Sequence, residues 1–94
     1  MNLVSNWEIT KQHLDNAFSF IPTNGLSEND LSFIKDFNDY IYHNELKLAF
    51  DSLDELAEIN KLPKEFWKEM ILAARQMKLE KHIQRCQEKL EIDD

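Results

Sequence analysis

The sequence contains, between Asn44 and Asn60, the stretch N-E-L-K-L-A-F-D-S-L-D-E-L-A-E-I-N. At roughly 100° per residue its apolar and acidic side chains separate onto two faces, which is the pattern of an amphipathic helix. The apolar face consists of Leu46, Ala49, Phe50, Leu53, Leu56 and Ala57. The acidic face consists of Asp51, Asp54, Glu55 and Glu58, with Lys47 as the only cation among them. We predict a helix here whose apolar face is the hub of the fold and whose acidic face meets water or a basic partner.

Two further helices are predicted before this stretch. Ser5 and Glu8 have the spacing of a capping box, which opens a helix over residues 6–20, and Pro22 ends it. Its apolar stripe consists of Trp7, Leu14, Ala17, Phe18 and Ile21. The next helix begins after Ser27, because Asp30 supplies an acidic residue three positions later. Asn44 then suits the N-cap of the helix described above.

The apolar arc of the second helix is wider than a surface helix requires, because Phe33 and Tyr40 extend it. The ordinary explanation is a central helix that other helices touch on two sides. The functional explanation is that the part of the arc near Phe33 and Tyr40 is an exposed docking surface. The ordinary explanation is the one that we favour.

The composition favours a compact all-α bundle of four or five short helices, forming a single helical domain over residues 1–94. The chain has one Gly and two Pro, and 43% of its residues are hydrophobic. Good helix formers such as Leu, Ala, Glu and Lys dominate it. After Pro63, apolar residues recur at helical spacing as far as Leu90, which describes one long helix or two. Typical helix lengths favour two, with a break near Lys78.

Charge narrows the class of partner. The net charge is −7, and residues 1–60 carry eleven acids against three bases. An acidic chain repels phosphate backbones, so we expect no direct nucleic-acid binding and attraction to basic surfaces instead. The chain has a single cysteine, no membrane-length apolar run and no signal-peptide pattern at its N-terminus. We therefore expect a cytoplasmic protein that makes no membrane contact.

Residues that could carry chemistry are few and scattered. His13, His43 and His82 lie in three separate segments without convergent partners, so no metal site is expected. Cys86 lies on an apolar stripe and fits a small core residue. One glycine cannot build a phosphate-binding loop. We expect neither a cofactor nor an enzyme.

One local motif, D-S-L-D-E-L around Ser52, resembles the phosphopantetheine attachment site of acyl carrier proteins. In that family the modified serine stands at the beginning of its helix, after a long loop. Here Ser52 follows L-K-L-A-F and is predicted to lie within the helix. An acyl-carrier-like protein modified at Ser52 is therefore kept as a minor alternative, and its test is a mass increase after incubation with a phosphopantetheinyl transferase and coenzyme A.

A wider likeness covers roughly residues 28–79. Its residues are Asn44-Glu45, Leu48-Ala49, Asp51, Leu53, Phe66-Trp67, Met70, Ala73-Ala74, Met77 and Leu79. This pattern resembles the small helical immunity proteins of bacterial polymorphic toxin systems, of the Maf type (MafI) and the contact-dependent growth inhibition type (CdiI). Those proteins carry an N-E-x-x-L-A motif that opens a central helix and an A-A-x-x-M motif that closes a later one.

The resemblance implies a cytoplasmic protein that binds and neutralises the C-terminal effector domain, often a nuclease, of a cognate contact-dependent toxin. The acidic face would enter a basic cleft in a 1:1 complex, with nearby aromatic residues as anchors. The predicted partner-binding residues are Asp51, Asp54, Glu55, Glu58, Glu45, Tyr40, Tyr42 and Phe33. A generic acidic adaptor that binds another basic protein is the alternative. Reversing the four helix acids to lysine is expected to keep the fold, since these positions are predicted to be exposed.

Overall fold

A computed structural model describes residues 6–92 of the chain and contains five α-helices and no strand in that range. The helices are α1 (Asn6–Phe18), α2 (Glu28–Tyr42), α3 (Leu46–Ile59), α4 (Lys64–Gln76) and α5 (Glu80–Ile92). The predicted all-α class is confirmed. Within the described range, no helix is both long and apolar enough to cross a membrane.

Helix α3 was predicted to be the hub of the fold, but α4 packs more extensively against the other helices. Helix α3 packs mainly against α2 and also contacts α1 and α4, while α4 packs against α1 on one side and α5 on the other. All six apolar residues predicted to face the core are buried, and Phe50 and Leu56 are fully so. Large side chains of the neighbouring helices complete the core, among them Leu14, Phe37, Phe66 and Met70.

The first two helices follow the predicted pattern with two differences. The capping role of Ser5 lies outside the described residues. Helix α1 ends at Phe18 rather than at residue 20, because Phe20 and Ile21 already donate to carbonyls three residues back in tight turns. Trp7 was expected in the apolar stripe, but it is half exposed.

The start of α2 is fixed by a capping box, as predicted. The Asp30 amide donates to Ser27 Oγ at 3.0 Å, and the Ser27 amide donates to Asp30 Oδ2 at 3.0 Å. The other carboxylate oxygen of Asp30 accepts from Asn60 Nδ2 at 2.8 Å, which links the start of α2 to the end of α3. Hydrogen bonds from the Ser27 backbone and from the Asn60 side chain lower the pKa of Asp30.

The junction between α2 and α3 corrects the prediction that Asn44 caps α3. Asn44 has a φ of 58°, and the N-cap of α3 is Glu45, whose side chain makes no capping hydrogen bond. The Glu45 amide donates to the Tyr40 carbonyl at 2.8 Å, and the Asn44 amide donates to the Ile41 carbonyl at 3.1 Å. These two bonds form a Schellman motif that ends α2, and asparagine tolerates the left-handed conformation it requires.

The break near Lys78 is confirmed, and it uses the same motif. The Leu79 amide donates to the Ala74 carbonyl at 3.0 Å, and the Lys78 amide donates to the Arg75 carbonyl at 3.1 Å. Lys78 has a φ of 57°, although lysine is not a residue that favours this conformation. The apolar stripe resumes beyond the turn, so α5 folds back against α4 and places Cys86 in the core.

Candidate protein-interaction site

The acidic flank of α3 faces basic side chains of α5. Nε2 of His82 lies 3.4 Å from Oδ1 of Asp51, and Nε of Arg85 lies 3.0 Å from Oδ2 of Asp54. Glu58 contacts the Arg85 guanidinium and lies 3.2 Å from Nζ of Lys89. We call this set the α3–α5 ladder; it comprises Asp51, Asp54, Glu58, His82, Arg85 and Lys89.

The sequence carries a signal for this ladder that the helix-by-helix reasoning missed. The acids on α3 are spaced by three and then four residues, and the basic side chains on α5 have the same spacing. Two parallel helices with equal spacings bring each acid opposite one base. Lys47 is the only cation within α3, but α5 supplies three more basic partners.

The four predicted docking acids therefore lie in different environments. Asp51, Asp54 and Glu58 are paired inside the molecule, whereas Glu55 is exposed and makes no ion pair with any residue of the described range. The expectation that all four are exposed is wrong for Asp54, whose side chain is only 14% exposed. The acidic face is thus mostly an internal contact, and Glu55 is its one member facing solvent without an ionic partner in residues 6–92.

Asp54 is the least solvated member of the ladder. Its Oδ1 atom is buried and has no hydrogen-bond partner among the described residues. Burial raises the pKa of Asp54, and the neighbouring Arg85 offsets that rise only in part. Burial by itself would lower the pKa of Arg85, but Asp54 and Glu58 raise it overall. Beside this pair, a shallow depression of about 180 Å³ is lined by Asp54, Lys81, His82 and Arg85.

The three predicted aromatic anchors also divide into two groups. Phe33 and Tyr40 are half-buried and pack against the core, but α2 packs mainly against α3 and is not the central helix that the ordinary explanation expected. Tyr42 is 82% exposed, and its ring meets the His43 imidazole edge-on at a centroid distance of 5.1 Å. Of these three side chains, only Tyr42 is therefore available as an aromatic anchor in the unbound molecule.

Two acids lie close to Tyr42 in the sequence at the end of α2. Asp39 precedes it by one helical turn, and Glu45 follows it across the Schellman motif. Both carboxylates are exposed, and neither forms an ion pair with another residue of the described range. We call Asp39, Tyr42 and Glu45 the α2–α3 corner. Glu45 and Tyr42 were predicted from the sequence, and Asp39 was not.

Ser52, His13 and Cys86 were considered as reactive side chains, and each lies within a helix of the fold. Ser52 is buried within α3, away from the helix end at which a carrier serine stands. Nδ1 of His13 lies 2.9 Å from Oε1 of Glu69, joining α1 to α4. Cys86 is fully buried, and burial raises the pKa of its thiol to about 12. No group of three or more His, Cys, Asp or Glu in the described range could hold a metal ion.

The chain was compared with known proteins at three levels. Comparisons with models of protein families, with curated proteins and with solved structures find no match.

Proposed function

We propose that the chain is a cytoplasmic immunity protein that binds and neutralises the effector domain of a contact-dependent toxin. The observation that carries the proposal is the α2–α3 corner, where Tyr42 is 82% exposed and the acids three residues before and after it have no ionic partner in the described range. An aromatic side chain that can be buried on binding is the commonest kind of energetic anchor at protein interfaces. The two acids favour a basic target, such as the substrate-binding surface of a nuclease.

The two motifs that carry the family resemblance occupy fitting positions in the fold. Asn44-Glu45 immediately precedes α3, and Ala73-Ala74 with Met77 lies at the end of α4. The charge distribution supports the proposal as well. The ladder pairs three acids of α3 with basic side chains of α5, whereas Asp39 and Glu45 of the corner have no ionic partner among the described residues. Long-range attraction to a basic domain would raise the association rate at low salt, and burial of Tyr42 would slow dissociation.

The first experiment tests inhibition directly. The chain is co-expressed with the effector domain encoded by the toxin reading frame that should precede its gene, and cell growth, co-purification and effector activity are measured. The proposal expects a 1:1 complex, restored growth and loss of effector activity. An effector domain that remains fully active and unbound in the presence of the chain would overturn it, and would favour the adaptor alternative.

The second experiment tests the corner with Tyr42→Ala. Removing an exposed aromatic anchor should leave the fold unchanged and weaken effector binding by about 30-fold or more, the effect of a contact worth ~2 kcal/mol. Leu31→Ala is the matched control, because Leu31 is another large exposed side chain of α2. Equal affinities for the two variants would exclude Tyr42 as the anchor.

The third experiment tests charge at the corner. The double variant Asp39→Asn with Glu45→Gln should lower the association rate at low salt and leave the dissociation rate nearly unchanged, because exposed charges act mainly through steering. Glu88→Gln with Glu91→Gln on α5 removes the same charge from another exposed helix surface. A control that slows association equally would attribute the effect to net charge and not to the corner.

A further inference from the structure

Helix α3 has a third surface besides its buried face and the ladder. Leu48, Glu55 and Ile59 fall within about 40° of one another at roughly 100° per residue. Leu48 and Ile59 are 42% and 62% exposed, and Glu55 is exposed between them. We call these three residues the outer strip. The strip extends about 16 Å along the helix, the rise of eleven residues.

Acidic groups adjoin the outer strip on its ladder side. Asp51 and Glu58 keep side-chain exposures of 35% and 44%, but both are already paired, Asp51 with Lys47 and with α5, and Glu58 with α5. Glu55, between the two exposed aliphatic side chains, is therefore the one carboxyl group here without an ionic partner in residues 6–92. A surface of this kind complements an element that presents both apolar and cationic side chains along one line.

Helix α5 shows which kind of element α3 accepts. It turns His82, Arg85 and Lys89 toward the α3 acids, while Ile83, Cys86 and Leu90 pack into or against the core. It is thus an amphipathic helix with basic residues spaced by three and four positions. The chain itself supplies one such helix, and it covers the ladder flank of α3 but not the outer strip.

We propose that the outer strip docks a second basic amphipathic helix, contributed by the partner protein. Leu48 and Ile59 pack between apolar residues of that helix, and Glu55 pairs with one of its Lys or Arg side chains. An anionic membrane surface would be repelled by Glu55 and by the net charge of −7. The inference rests on the proposed function, because it names the docking chemistry of the partner that this function requires.

The experiment uses a defined probe, a synthetic amphipathic helix of about 18 residues made of leucine and lysine, which gives five turns. Backbone amide shifts of the full chain are followed by NMR while the peptide is added. The expected result is saturable shifts along Leu48–Ile59 that a peptide of scrambled order does not produce. Shifts spread evenly over all exposed acids, or the same response to the scrambled peptide, would overturn the proposal.

Variants give the second readout. Leu48→Gln with Ile59→Gln should weaken peptide binding by about tenfold, the loss implied by removing two modest apolar contacts. Leu72→Gln is the control for Leu48, because Leu72 is similarly exposed on α4. Glu55→Gln should weaken binding more than Glu88→Gln, which makes the same charge change on α5. Equal effects of variants and controls would overturn the assignment of the strip.

The toxin effector domain separates the two proposals. If the wild-type chain binds that domain and the outer-strip variants bind it equally well, the proposed function stands and the strip is not its docking site. If the domain is not bound at all, the proposed function fails, while the peptide titration still decides whether the strip accepts a basic helix. A concentration-dependent dimer whose shifts fall on the strip would identify a second copy as the occupant and overturn the inference.

Discussion

Nε of Arg85 on α5 lies 3.0 Å from Oδ2 of Asp54 on α3, and the same guanidinium contacts Glu58. One basic side chain therefore holds two acids that lie four residues apart on the neighbouring helix. Because Asp54 is largely buried and Arg85 is half exposed, the pair lies at the border between core and solvent. This position determines how much the contact contributes to stability and which substitutions can probe it.

Replacing Arg85 with alanine should destabilise the fold by about 1–2 kcal/mol. Exposed ion pairs contribute only ~0–1 kcal/mol, but the variant also leaves a buried carboxylate without its cation, which costs about 1–3 kcal/mol. Urea unfolding followed by circular dichroism measures the difference. Lys89→Ala is the control, because Lys89 contacts only the half-exposed Glu58 within the ladder and should change stability by less than about 0.5 kcal/mol. Equal losses of unfolding free energy in the two variants would show that the burial of Asp54 adds nothing to the cost of removing Arg85.

Asp54→Asn should reveal the opposite pH behaviour from an ordinary ion-paired aspartate. Burial raises the pKa of Asp54, so folding favours its protonated form. That contribution to stability is complete below the ordinary carboxyl pKa of 3.8 and is lost as pH rises through the raised value. The free energy of unfolding of the wild type, relative to the variant, should therefore increase as pH falls from about 7 toward 4. A decrease over that range would mean that attraction to Arg85 outweighs burial.

Much of the fold follows from periodicity within single helices. The six apolar residues predicted to face the core from α3 are all buried, because they lie on one face of an amphipathic helix. The two helix ends at Asn44 and Lys78 were harder to assign, since both adopt left-handed conformations without glycine. Lys78 adopts a conformation that lysine does not favour, so its residue type does not mark the helix end.

The candidate site was predicted less completely than the fold. Acidity of α3 is visible in the sequence, but whether Asp54 faces solvent depends on which helix lies beside it. The equal spacing of acids on α3 and bases on α5 becomes informative only when the two helices are known to run parallel. Exposure of Tyr42, in contrast to the half-buried Tyr40, likewise depends on how α2 packs against α3.

Asp30→Asn should lower the melting temperature most clearly near neutral pH. Hydrogen bonds from the Ser27 backbone and from Asn60 lower the pKa of Asp30, so folding favours its charged form. This contribution is present above the ordinary pKa of 3.8 and is lost as pH falls through the lowered value. Thermal melts between about pH 6 and pH 2 should therefore show the Tm of the wild type converging on that of the variant. A difference in Tm that stays constant over this pH range would exclude the charge of Asp30 as the source of the stabilisation.

Ser27→Ala tests the other half of the same capping box. Ser27 Oγ accepts from the Asp30 amide, and loss of an N-cap side chain costs about 1 kcal/mol. Ser32→Ala is a suitable control, because Ser32 is exposed within α2 and forms no cap. Urea unfolding should separate the two variants by roughly that amount. If the two variants are equally stable, the Ser27 side chain adds nothing to the stability of the protein.

Cys86 should be inert in the folded protein and reactive once α5 detaches. Its thiol is fully buried, and burial raises its pKa to about 12, so almost no thiolate forms near neutral pH. At about pH 8 a disulfide reagent should label the native chain only as fast as the α4–α5 contact opens. In denaturant, one thiol per chain should react at once, because the sequence has a single cysteine. Native labelling at the rate of a free thiol would contradict the burial of Cys86.

Lys78→Gly should stabilise the protein by about 0.5–1 kcal/mol. A φ of 57° is unfavourable for a lysine and costs nothing comparable for glycine, although glycine also adds freedom to the unfolded chain. Asn44→Gly is the matched test, since Asn44 has the same conformation at the end of α2 and closes the same Schellman motif. Asparagine tolerates that conformation, so Asn44→Gly should stabilise the protein less than Lys78→Gly does. The free energy of unfolding should be highest for Lys78→Gly, lower for Asn44→Gly and lowest for the wild type. If Asn44→Gly is instead the more stable variant, contacts of the Lys78 side chain relieve the strain at that position.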